Sequence, residues 1–139
     1  MKKLFLIACV VISPLLQLSA QENAKIMIIR DTGPQSSISG YSTFLNDNCV
    51  EKIKDKTTVT FVVPAGEATL SFRNWGKNKP RQSEEKLTLD LKPEEIRYVM
   101  VVEQRDVFWP KIMPLEVTEA TAEQYVQPLN FTVELPLQN

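Results

Sequence analysis

The chain has 139 residues, 43% hydrophobic and 24% charged, with 16 basic residues against 17 acidic ones. That is ordinary globular composition, and its length allows one domain with a short extension. It contains no histidine at all, which removes Ser-His-Asp and Cys-His catalysis, histidine-ligated metal sites and the common proton shuttle of neutral pH.

The first 20 residues read as a secretory signal peptide. Lys2 and Lys3 supply the positive head, Leu4 to Ile12 the apolar middle, and Leu18-Ser19-Ala20 the small-residue end. Cleavage is expected after Ala20. Ser13, Pro14 and Gln17 interrupt the run, so a membrane-spanning helix of about 20 apolar residues is not expected. Leu6-Ile7-Ala8-Cys9 also has the form of a lipobox, which would place a lipid on Cys9. The apolar stretch before Cys9 is short for that role, and the sequence after it stays apolar.

Removing 20 of 139 residues leaves a domain of 119, from Gln21 to Asn139. Lys2 and Lys3 leave with the leader, so 14 basic residues face 17 acidic ones, a net charge of −3. A mildly acidic domain is a poor nucleic-acid binder. Of the two cysteines only Cys49 remains, so no internal disulfide can form. The expected location is therefore the exported space, periplasm or cell surface, with stability supplied by packing.

From there the chain alternates apolar and polar residues in short runs, the period of half-buried strands. Ala24 to Arg30 is the first, and Gly40 to Asn46 the second, with Tyr41 and Leu45 on one face. Asp47-Asn48 is read as the turn into Cys49 to Ile53, which returns antiparallel. Thr57 to Val63 aligns Val59, Phe61 and Val63. Pro64-Ala65-Gly66 turns the chain, with Gly66 in the position that needs a positive φ. Ala68, Leu70 and Phe72 line the next strand, Asn74 to Gln82 forms a loop, and Leu87, Leu89 and Leu91 line another strand. Lys92-Pro93-Glu94-Glu95 turns again.

Ile96 to Val102 is apolar on both faces, the mark of a central strand or one covered on its outer side. Lys111 to Val117 is read with Met113, Leu115 and Val117 inward. Pro114 cannot donate to a ladder, which places this strand at an edge. Thr118 to Val126 is the one helix, capped by Thr118 and ended by Pro128. Leu129, Phe131, Val133 and Leu135 define a last strand. About eight short strands with one short helix near the C-terminus predict an all-β fold, an antiparallel β-sandwich, with a small barrel as the alternative.

Two loop segments carry candidate binding residues. Trp75 is followed by Lys77, Lys79 and Arg81, an aromatic platform beside a basic loop suited to a sugar or an anion. Phe108-Trp109-Pro110 places two large rings between strands, where exposed aromatics would meet a partner. Both tryptophans could equally fold inward and plug an end of the sandwich. The acidic pairs Glu84-Glu85 and Glu94-Glu95 do not meet the convergent two-carboxylate requirement of glycoside hydrolysis. Cys49 reads as a small apolar filler rather than an activated thiol. Asn130-Phe131-Thr132 fits the glycosylation triplet on a predicted strand. The four glycines are isolated, so no phosphate loop exists. No metal, no cofactor and no catalytic residue is expected.

Phe44-Leu45-Asn46-Asp47-Asn48 and Val62-Val63-Pro64-Ala65-Gly66-Glu67-Ala68-Thr69-Leu70 together resemble the hairpin and Pro-x-Gly pattern of PEGA-like and carboxypeptidase-regulatory-like domains. With Tyr98-Val99-Met100-Val101, the chain resembles a domain-of-unknown-function family of exported or lipid-anchored bacterial envelope sandwiches. That resemblance implies a fold and a compartment but no catalytic residues. The function expected is a non-catalytic envelope module that binds a protein or glycan through loop aromatics. The alternatives are a carboxylate-dependent hydrolase of glycan or peptidoglycan, and an inhibitor or chaperone-like subunit acting through an edge strand.

Overall fold

The computed structural model describes residues 22–33, 40–74, 85–104 and 111–135. The expected leader, with Cys9, lies outside the described residues. So do Glu84 and the binding candidates Trp75, Lys77, Lys79, Arg81, Phe108 and Trp109.

Among the described residues nine strands and one helix follow in order: β1 (Asn23–Arg30), β2 (Tyr41–Leu45), β3 (Asn48–Ile53), β4 (Thr57–Pro64), β5 (Gly66–Asn74), β6 (Leu87–Leu91), β7 (Ile96–Gln104), β8 (Lys111–Val117), α1 (Glu119–Tyr125) and β9 (Leu129–Glu134). They form a five-stranded sheet in the order β8-β7-β1-β4-β9 and a four-stranded sheet in the order β3-β2-β5-β6. The all-β sandwich with a short helix near the C-terminus is thus the fold adopted. Its plan is not purely antiparallel: β1 pairs with β7 in parallel, and β4 with β9 in parallel. Short hairpins cannot make parallel neighbours. The first pairing joins strands separated by the whole second sheet, and the second uses the crossover through α1.

The core lies between the sheets. Ala24, Ile26 and Ile28 from β1, with Val59, Phe61 and Val63 from β4, meet Leu70 and Phe72 of β5 and Leu89 and Leu91 of β6. Those of β4, β5 and β6 are the residues picked out by alternation, because a period of two puts them on one face; the apolar run Ile26 to Ile29 of β1 offered both faces.

The turns follow local chemistry. The β2–β3 turn is Asn46-Asp47, one residue earlier than expected, with φ of 48° and 65°. Paired Leu45 and Asn48 close a two-residue loop, and that loop needs two positive φ values, which Asn and Asp tolerate. Gly66 takes φ 125°, where a side chain would be strained. The register of β2 and β3 shifts beside Thr43 and Phe44, which leaves Val50 as the extra residue of a bulge.

One orientation differs from expectation. In β8 it is Ile112 that is buried inward, whereas Leu115 is 51% exposed. The β7–β8 register pairs Val117, Leu115 and Met113 with Tyr98, Met100 and Val102. Val99 and Val101 are the buried, inward residues of β7, so Met113, Leu115 and Val117 face outward with the opposite set. Both faces of β8 carry apolar residues, so alternation could not choose between them. Helix α1 lies against β7 on that outer side, and Ala122 and Ile29 are fully buried. Its first turn is capped by the Thr118 hydroxyl, which accepts from Thr121 N at 3.3 Å. β8 does form an edge, as Pro114 requires.

Candidate functional site

One end of the sandwich collects the polar features. β1 finishes there at Arg30 and β2 begins there at Tyr41. β5 arrives with Asn74, which pairs with Tyr41. β7 is parallel to β1 and arrives with Glu103 and Gln104, and Lys111 pairs with Gln104 at the start of β8. The segments carrying Trp75 and Trp109 are therefore flanked by described residues of this same end.

Arg30 dominates it. The side chain is fully buried, and its guanidinium carbon lies 3.6 Å from the centroid of the Tyr41 ring. Nη1 donates to the Ile53 carbonyl at 2.6 Å, and Nε donates to Thr32 Oγ1 at 3.2 Å. Thr32 passes the link on. Its backbone N and its hydroxyl both donate to Asp55 Oδ1, at 3.0 and 3.1 Å. Asp55 stands in the β3–β4 turn, where Lys56 takes φ 53°. Burial lowers the pKa of Arg30, while the charges of Asp55 and Glu103 oppose that shift. A planar guanidinium both stacks and donates, which suits it to such a site. The arrangement locks three strands and a turn together; it holds a fixed cation rather than an acid or base poised to exchange protons.

The acidic pair at the opposite end behaves differently. Glu95 Oε2 accepts from Lys92 N at 2.9 Å, and its Oε1 accepts from Arg97 Nη1 at 3.1 Å. The Lys92 backbone hydrogen bond, reinforced by Arg97, holds the Glu95 carboxyl below its ordinary pKa. A general acid needs the reverse displacement. Arg97 Nε lies 2.7 Å from Glu116, so this cation ties two carboxylates across the β7–β8 rim.

Near Glu95's end a cleft of about 500 Å³ opens between the β2–β3 hairpin and the finish of β4 and β9. Leu45, Cys49, Val50, Val63 and Leu135 contribute to its wall. Cys49 is exposed at its rim rather than packed as a core filler. It lies on the edge strand β3, next to the bulge residue Val50. Among the described residues, no cluster of three or more Cys, Asp or Glu could hold a metal ion, and no helix is long and apolar enough to cross a membrane.

The sequence did not single out Arg30 or Tyr41. Its six binding candidates, Trp75, Lys77, Lys79, Arg81, Phe108 and Trp109, lie outside the described residues. The only signal for the buried cluster was a charged residue closing an apolar strand, which usually marks where a strand leaves the core. Comparisons with protein-family models, with curated proteins and with solved structures find no match for this chain.

Proposed function

We propose that this protein is an exported, non-catalytic module of the bacterial cell envelope, which binds a protein or glycan partner at the Arg30–Tyr41 end of its sandwich. Trp75 with Lys77, Lys79 and Arg81, and Phe108 with Trp109, are its proposed contact residues. The observation that supports this reading is the meeting of strand ends: Asn74, which precedes Trp75, and Gln104 and Lys111, which flank Phe108 and Trp109, share one end. Loops carried on a rigid sheet end are a common basis for recognition, and aromatic and arginine side chains contribute most to such contacts. The Arg30 cluster would keep that platform rigid.

The test is a Trp75→Ala/Trp109→Ala double variant. It is assayed by co-sedimentation with purified peptidoglycan sacculi and by in-cell cross-linking to envelope proteins. The expected result is an unchanged far-ultraviolet circular dichroism spectrum with retention weakened about tenfold or more. Unchanged retention by the folded double variant would remove these residues from the proposal.

A further inference from the structure

The four edge strands of the sandwich are not equally protected. Lone sheet edges invite pairing with another chain, and natural edges carry prolines, bulges or charges that prevent it. β8 has Pro114 in its middle and Lys111 at its start. β3 has the Val50 bulge, with Glu51 and Lys52 beside it. β6 is five residues long and carries Asp90. β9 has none of these within Leu129–Val133; its one charge is Glu134, at the end. It is also apolar and exposed, with Leu129 at 56% and Phe131 at 37%. Leu129, Phe131 and Val133 stand beside Thr57, Val59 and Phe61 of β4, on the core side of the sheet. Val133 and Leu135 reach the edge of the core, whereas Leu129 and Phe131 project past it.

The direction of the backbone completes the case. Leu135 N donates to Val62 O of β4. In a strand, alternate residues direct N–H and C=O to the same side. The peptide groups of Asn130, Thr132 and Glu134 are therefore directed away from β4, toward the open edge.

We propose that β9 pairs with β9 of a second copy of this chain, antiparallel, about a two-fold axis at Thr132. The strand is self-complementary in that register. Thr132 meets Thr132, and Asn130 meets Glu134. These are the residues whose peptide groups are directed outward, so each can donate and accept across the axis. On the core side Phe131 meets Val133 and Leu129 meets Leu135, which covers the apolar side chains that β4 leaves exposed. No like charges face each other, a condition that a paired edge must meet. The two five-stranded sheets become one continuous sheet. Because the strands run antiparallel, the two Arg30 ends face in opposite directions, so the dimer is a bivalent bridge rather than a double-strength clamp. A second copy satisfies the self-complementary register by symmetry, as an isologous interface demands, and a foreign strand would need a matched sequence.

The experiment uses the secreted full chain in sedimentation equilibrium. A single strand-to-strand contact is small, so the dimer is expected to dissociate in the range of about 1–100 μM. Thr132→Pro removes the N–H on the axis without touching a bond to β4. Thr132→Lys places two like charges opposite each other and keeps every peptide group. Both are expected to be monomeric at about 100 μM while keeping the parent's circular dichroism, and to match its melting temperature when all are measured well below about 1 μM, where the parent too is monomeric. In a Cys49→Ser background, Thr132→Cys is expected to form a disulfide between two copies on mild oxidation. A parent chain that is monomeric at that concentration, a dimer that survives Thr132→Lys, or capture of a different protein by the position-132 cysteine would each overturn the proposal.

Discussion

Arg30 carries a positive charge into the end of an otherwise apolar core, and its surroundings explain why that is tolerated. Hydrogen bonds to Ile53 and Thr32, the face of Tyr41 and the link through Thr32 to Asp55 replace water that the guanidinium loses. Removing one partner of such an arrangement leaves the others unsatisfied in a low dielectric, which costs more than the arrangement contributed. Arg30→Ala is accordingly expected to lower unfolding free energy by about 3–5 kcal/mol. Tyr41→Leu keeps the apolar volume and loses the ring face, so about 1–2 kcal/mol is expected. Urea titrations followed by circular dichroism would check both. Tyr98 gives a pH test. Burial, and the hydrogen bond its hydroxyl donates to Glu119 Oε1 at 2.9 Å, raise its pKa. A raised folded-state pKa contributes stability that is complete below the unfolded value, near pH 10 for tyrosine, and is lost as pH rises through the folded value. Tyr98→Phe is expected to flatten the alkaline limb of the stability curve and to leave the curve below about pH 9 parallel to the parent's. An alkaline limb as steep as the parent's would refute the assignment.

At the scale of elements, the local chemistry of the chain was readable because it is short-range. Gly66 follows Pro64 and Ala65 and takes the positive φ that the turn demands. Thr118 caps α1 in the expected place. The helix is only seven residues long, so its own propensity cannot hold it, and it depends on Thr118, on Ala122 against the sheet, and on Gln127 N, which donates to Thr58 Oγ1 at 2.9 Å. Thr118→Ala is expected to cost about 1 kcal/mol. Amide hydrogen exchange should localise faster exchange to Glu119–Tyr125, with β4 and β5 unaffected. The face of β8 was not readable. Ile112 and Pro114 compete there with Met113, Leu115 and Val117, and the choice was made by the β7 register and the opposing sheet. The fate of Cys49 was similar: a strand position was legible, but its exposure on an edge strand was not.

At the scale of the whole molecule, the sandwich divides its labour between its ends and its edges. One end gathers Arg30, Tyr41, Asp55 and the flanks of the two tryptophan segments, and it is the end proposed to meet a partner. The opposite end carries the tight turns, the Glu95–Arg97–Glu116 ion pairs and the cleft beside Cys49. Three edges are guarded, and β9 is open. Pairing through β9 would set the two recognition ends apart and facing outward, an arrangement suited to joining two partners. The partner-binding and pairing proposals fail independently, since Thr132→Lys alters the edge and Trp75→Ala/Trp109→Ala alters the end.

The sequence by itself determined the strand positions, the turn at Gly66, the helix and its cap, and the absence of histidine chemistry, and it placed the β2–β3 turn to within one residue. Each of these depends on neighbours a few residues apart, through alternation, φ preference or the inventory of side chains. The tertiary structure alone decided that β1 and β7 run parallel, that β4 accepts β9, which face of β8 is buried, and that Arg30 rests on Tyr41. Those outcomes depend on residues far apart in the chain meeting in one register, and the energy of such a meeting is carried by contacts that no local pattern records.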